Sequence, residues 1–196
     1  MLRSDLANLV RFGLGAPRAG QRIYIDPRSV ESWVSAFGRR DTGRVLDGDW
    51  DKTSAPFANI PKAGIVHRKI SQNLTWEEAG AYDNMLRLIR ERGDHDECRN
   101  IYDIQERYRR LDALVEHLAA GGRYLTATEL GGIREFGGIY IHVGRYGEAL
   151  FGGRGCHRLA IAQALGLKSV PAQVGVVHLQ AVQNGSFHRL TKPRKM

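Results

Sequence analysis

Phe151-Gly152-Gly153-Arg154-Gly155 is a stretch that no regular element can absorb, and it lies between an alternating apolar run and a helix-forming one. Ile139 to Val143 alternates as a strand does, Arg145-Tyr146-Gly147-Glu148 has turn composition, and Ala149-Leu150-Phe151 reads as the returning strand. Beyond the glycines, Cys156-His157-Arg158 runs into Leu159-Ala160-Ile161-Ala162-Gln163-Ala164-Leu165, a helix stopped by Gly166. Val170 to Val177 is a further strand, with Pro171 marking an edge or a strand start. Hairpin, glycine turn, helix and strand in that order place the chain in the α/β (α+β) class.

The turn also carries chemistry. The first turn of a helix has backbone N–H groups without partners and the positive end of the peptide dipole. Glycines let a ligand approach that backbone, and His157 and Arg158 add cationic donors. Gly152, Gly153, Arg154, Gly155, Cys156, His157 and Arg158 are therefore candidate ligands for a phosphate, with a nucleotide as its bearer. Cys156 stands where a helix terminus and nearby cations depress a thiol pKa. The competing reading is a tight strand-to-helix connection, with glycines relieving sterics and Cys156 as a small residue at a helix start.

Gly155-Cys156-His157-Arg158 resembles the G-C-H-R of sulfiredoxins. With Leu159-Ala160-Ile161-Ala162 and the run from Gly166 to Val174, the segment also resembles the G-x-x-R region of ParB-like domains. The two families share one fold, so the resemblance implies a small mixed sheet with helices, whose loop and helix N-terminus hold nucleotide phosphates. Some of its members are small-molecule kinases. The likeness covers residues 139–178 and touches residues 22–51 through Ile25-Asp26-Pro27. In sulfiredoxins the matching cysteine attacks an activated sulfinyl phosphate. Here Arg154-Gly155 is inserted between Phe-Gly-Gly and Cys-His-Arg, which departs from that pattern.

The rest reads as one domain built around this unit. Residues 1–21 form a short helix and a loose lead-in, and residues 22–64 a strand followed by an irregular acidic and basic loop, with a short helix expected from Val30 to Phe37. Thr75-Trp76-Glu77-Glu78 is a capping box. Tyr82, Met85, Leu86 and Ile89 then mark one buried helical face, with Gly93 as its stop. Ile101, Ile104, Tyr108, Leu111, Val115 and Leu118 mark a second helix, ended by Gly121-Gly122. Residues 75–122 are thus expected as an inserted helical hairpin, and residues 186–196 as a basic tail that is disordered from Arg189.

Asp47-Gly48-Asp49-Trp50-Asp51 places three carboxylates on one loop, where Asp47, Asp49 and Asp51 could hold Mg²⁺ or supply a general base. Lys52 and Ala58 at the sixth and twelfth positions exclude an EF-hand, and a solvated acidic turn is the alternative. His95 and Cys98 lack the second tight pair that a structural zinc site needs. His142 and His178 read as strand histidines, and Arg134-Glu135 as a helix end before a glycine stop.

A net charge of +8 favours anionic partners. Two cysteines outside any C-x-x-C pair indicate a reducing compartment, and with no leader or membrane span in view the expectation is cytoplasmic. The leading reading is a phosphotransferase: ATP, or else ADP or CTP, bound with Mg²⁺ and a phosphoryl group passed to a small-molecule or glycan hydroxyl. Arg158 and His157 would neutralise phosphate charge. A ParB-like nucleic-acid-binding or nuclease module is the alternative, against which stands the short stretch after the last strand, too short for a helix-turn-helix. Sulfiredoxin-like thiol chemistry at Cys156 is the third.

Overall fold

The computed structural model describes residues 2–193. Its helices are α1 (Leu2–Phe12), α2 (Pro61–Ser71), α3 (Ala81–Arg92), α4 (Ile101–Ala119), α5 (Cys156–Ala164), α6 (Leu179–Gln183) and α7 (Ser186–Leu190). Its strands are β1 (Arg22–Ile25), β2 (Ser32–Trp33), β3 (Val45–Leu46), β4 (Ala55–Pro56), β5 (Ile139–Val143), β6 (Ala149–Phe151) and β7 (Val170–His178). They form one mixed sheet in the order β1-β7-β5-β6-β2-β4, with β3 also on β7. The class is α/β. Among the described residues no helix is long and apolar enough to cross a membrane.

The hairpin, turn, helix and strand of residues 139–178 form as expected. β5 and β6 pair antiparallel, and β5 runs parallel to β7 after the α5 crossover. All five residues of β5 are buried, because both faces of this central strand are covered. Ile139, Ile141 and Val143 join the apolar core beside Leu159, Ile161, Val66 and Met85. Tyr140 and His142 point the other way, under the segment from Gly38 to Trp50. Pro171 lies at the start of β7, a strand paired on both edges, so the strand-start alternative holds and the edge does not.

β7 is long enough to carry β1 antiparallel on its first half and β3 parallel on its second. The connection between them is the excursion 26–44. No helix forms from Val30 to Phe37, because this stretch is drawn onto the free edge of β6. Trp33 pairs with Phe151, the Val34 amide donates to the Phe151 carbonyl at 2.9 Å, and Phe57 N–H reaches the Glu31 carbonyl at 2.7 Å. Backbone groups at a buried edge need partners, and this requirement overrides local helix preference.

Residues 38–64 are not irregular throughout: β3 and β4 interrupt the loop, and it gives way to helix after Ile60. Pro61 opens α2 at the first helical position, where its missing N–H costs nothing. The capping box at Thr75 and Glu78 is made, with 2.8 and 3.2 Å bonds to the two backbone amides. It nevertheless caps only a turn. Gly80 at φ +82° breaks that turn, and α3 starts at Ala81. Gly93 ends α3 and the Asn100 side chain caps α4. The tail departs from expectation too: Arg189 lies in α7, which fully buried Phe187 anchors, while Arg194 and Lys195 lie outside the described residues.

Candidate functional site

The glycine loop is shaped by its neighbours. Gly152 passes so close to β5 that a Cβ there would stand 2.5 Å from Tyr140 Cδ1 and 2.8 Å from His142 Nε2. Gly155 caps α5 at φ +76°, and a Cβ would stand 2.8 Å from both the Gly138 carbonyl oxygen and Ile139 Cα. Steric relief therefore accounts for two glycines. Gly153, at φ +88°, has open space where its Cβ would be. The tight connection and the anion site are compatible, since the same turn leaves the α5 amides at the mouth of a cleft.

That cleft, of about 790 Å³, is walled on one side by residues 153–158 and on the other by α2, α4 and the turn before α4. Five cations line it: Lys62, Arg107, Arg110, Arg154 and Arg158. Lys62 Nζ and Arg107 Nη2 are committed to Asp96 at 2.5 and 3.1 Å, and Arg110 leans on Glu106 at 3.5 Å. Arg154 and Arg158 are exposed and have no carboxylate partner among the described residues; Arg158 Nη1 donates only to the Gly137 carbonyl at 3.4 Å. α4 and the turn before it thus supply half of the lining of this cleft, which the sequence pattern of α4 did not announce.

Two expectations for this loop fail for the same physical reason, desolvation. Burial drives the Cys156 thiol up to about 12, opposite to the depression a helix terminus and cations would produce. His157 is 6% exposed, edge-on to Trp76 and Tyr108, with Nε2 3.4 Å from the Tyr108 hydroxyl. Burial holds it neutral, lowering its pKa to about 3, so it brings no charge to a phosphate. His157 is a core histidine, and the cationic role passes to Arg154 beside Arg158.

Asp47, Asp49 and Asp51 stand elsewhere, at the β5–β6 turn. Asp51 accepts from Arg145 Nε at 2.9 Å, Nη2 at 2.6 Å and the backbone N–H at 3.0 Å. These bonds to Arg145 hold the carboxyl well below its usual range, at about 2. Asp49 is shared by Arg145 at 2.8 Å and Lys52 at 3.0 Å, whereas Asp47 is exposed with its Oδ1 3.9 Å from His178 Nε2. The second cleft, of about 390 Å³, is lined by Asp51, Lys52 and Arg145 and shares no residue with the first. The acidic loop is an arginine anchor, and these carboxylates do not fit Mg²⁺. Among the described residues no group of three or more His, Cys, Asp and Glu side chains is placed to hold a metal.

Arg134 and Glu135 belong to an irregular stretch rather than a helix end. Arg134 binds Asp5 at 3.2 Å and the Ala19 carbonyl at 2.8 Å, and Glu135 accepts the Ala127 amide at 3.0 Å. His178 uses both nitrogens, accepting from Gln180 N–H at 3.1 Å and reaching the Gly48 carbonyl at 2.8 Å. His142 Nδ1 accepts the Val176 amide at 2.9 Å, which leaves the proton on Nε2. That N–H has no conventional partner; it lies among Tyr140, Phe37 and Trp50, all edge-on to the imidazole. Its burial lowers the pKa to about 4.

No family model, no curated protein and no solved structure matches the chain.

Proposed function

We propose that the chain binds the phosphates of a nucleotide, ATP first among them, at residues 153–158 and passes a phosphoryl group to a small-molecule or glycan hydroxyl. The observation that carries this reading is Arg154 and Arg158, two guanidiniums free of carboxylates beside the α5 N-terminus on the larger cleft. Guanidinium forks suit phosphate oxygens, and the helix amides add donors at the same place. The volume lies within the roughly 300–1,000 Å³ usual for ligand sites. The resemblance of Gly155 to Arg158 to the ParB and sulfiredoxin loop supports the same assignment.

The nucleotide would supply the transferable group and its leaving group. The chain's contribution is positioning and charge neutralisation, by Arg154 and Arg158 on the phosphates and by the helical wall on the acceptor. Thiol chemistry is disfavoured by the high Cys156 pKa. Both cysteines are free, in keeping with a reducing, cytoplasmic setting.

Calorimetric titration with ATP, ADP, CTP and GTP in Mg²⁺ buffer tests the reading. Arg158→Ala should weaken binding roughly 10–100-fold, the worth of one charge-assisted hydrogen bond. Arg154→Ala should act in the same direction. No binding of any nucleotide by the unaltered protein overturns the proposal, and retention of the chain on single-stranded or duplex DNA would then favour the nucleic-acid module.

A further inference from the structure

The turn between α3 and α4 is unusual in its backbone. His95 and Cys98 exchange both backbone hydrogen bonds, at 3.0 and 2.9 Å, closing a two-residue loop over Asp96 and Glu97. Both loop residues are left-handed, at φ +51° and φ +67°. Asparagine and glycine suit such positions; a glutamate there carries strain, and it persists only where the surroundings over-determine it. They do so here. Asp96 is tied to Lys62 and to Arg107, whose Nη1 also holds the Asp96 carbonyl at 3.0 Å, and buried Cys98 fixes the other end of the loop.

With Asp96 turned inward as the anchor, Glu97 is exposed on the wall of the larger cleft. The other carboxylates there are engaged: Asp96 as described, Asp103 on the Arg99 amide at 2.8 Å, and Glu106 on Arg109 and Arg110. Glu97 alone among them has no hydrogen bond or ion pair among the described residues. A free carboxylate on the wall of a phosphate site repels the phosphates unless a cation stands between. Mg²⁺ bound with a nucleotide needs only one or two protein carboxylates, with phosphate oxygens and waters completing its shell.

We propose that Glu97 is the carboxylate that receives the divalent cation carried by the nucleotide, held out for that purpose by the strained turn. This rests on the nucleotide reading above. It makes a prediction of opposite signs in two buffers. The unaltered protein should bind ATP on the order of tenfold more tightly with Mg²⁺ than with EDTA, toward the lower end of usual coupling strengths. Glu97→Gln should erase that gain while leaving metal-free ATP binding equal or tighter. Glu97→Gly, which removes the carboxylate and relieves the left-handed strain, should erase the gain too and melt at a higher temperature than the unaltered protein.

The measurement is calorimetry of ATP into all three proteins, in Mg²⁺ and in EDTA, beside their melting temperatures. A magnesium gain that survives in Glu97→Gln, or is absent from the unaltered protein that still binds ATP, overturns the role of Glu97 and leaves the nucleotide site standing. No ATP binding by the unaltered protein in either buffer overturns both.

Discussion

Acidification from pH 7 to about 4.5 is expected to bring the protein close to unfolding, well before its ion-paired carboxylates titrate. His142 and His157 are held neutral by burial, with pKa values near 4 and 3 against an ordinary 6.5. Between pH 6.5 and these values the unfolded chain takes up two protons that the folded chain refuses. Stability is therefore greatest above pH 6.5 and falls as pH falls through this window. Each histidine contributes a slope of about 1.4 kcal/mol per pH unit, so two of them remove on the order of 5 kcal/mol by pH 4.5. That approaches the whole stability of many domains, about 5–15 kcal/mol. Thermal melts followed by circular dichroism across this range measure the slope, and a His157→Gln variant should show about half of it. A melting temperature that stays level from pH 7 to 4.5 would mean that neither imidazole is sealed in as described.

Gly155→Ala is expected to cost about 2–5 kcal/mol, combining a left-handed alanine with overpacking. The added methyl group meets the backbone of Gly138 and Ile139, which cannot swing away as a side chain could. Gly153→Ala is the control. It bears the same sign of φ with no neighbour within 4 Å, so about 1–2 kcal/mol is expected. Urea denaturation of the two variants compares them directly. Equal losses would show that the close approach of the loop to β5 is not what holds the turn.

The unit from β5 to β7 was legible because every signal there agreed: alternation, turn residues, glycines and a helix of apolar composition. Elsewhere one signal outweighed another. The glycines and charges of residues 38–64 obscured α2, although Pro61 at the first helical position, followed by Ala63, Val66 and Ile70, carries a helical pattern. The stretch from Val30 to Phe37 has helix-compatible composition, and only the unpaired edge of β6 makes it extended. His157 and Cys156 were read by their sequence neighbours, whereas burial sets the chemistry of both, with Trp76 and Tyr108 packed against His157 from far along the chain. Asp51 likewise looked like a ligand until Arg145, far along the chain, claimed it. The strained turn at Asp96 and Glu97 has no turn-forming glycine to reveal it. The larger cleft exists only where two distant stretches of chain meet.

That meeting makes the two walls of the larger cleft unequal in their tolerance of change. The glycine loop is locked to the sheet by backbone contacts and admits little change. The opposite wall hangs on α2, α4 and a short turn, whose exposed side chains can be exchanged without touching the sheet. A library confined to the exposed Glu97, Glu106 and Arg110 would therefore vary the lining of the cleft while leaving its folding intact. Such a scaffold can be reshaped from one side only.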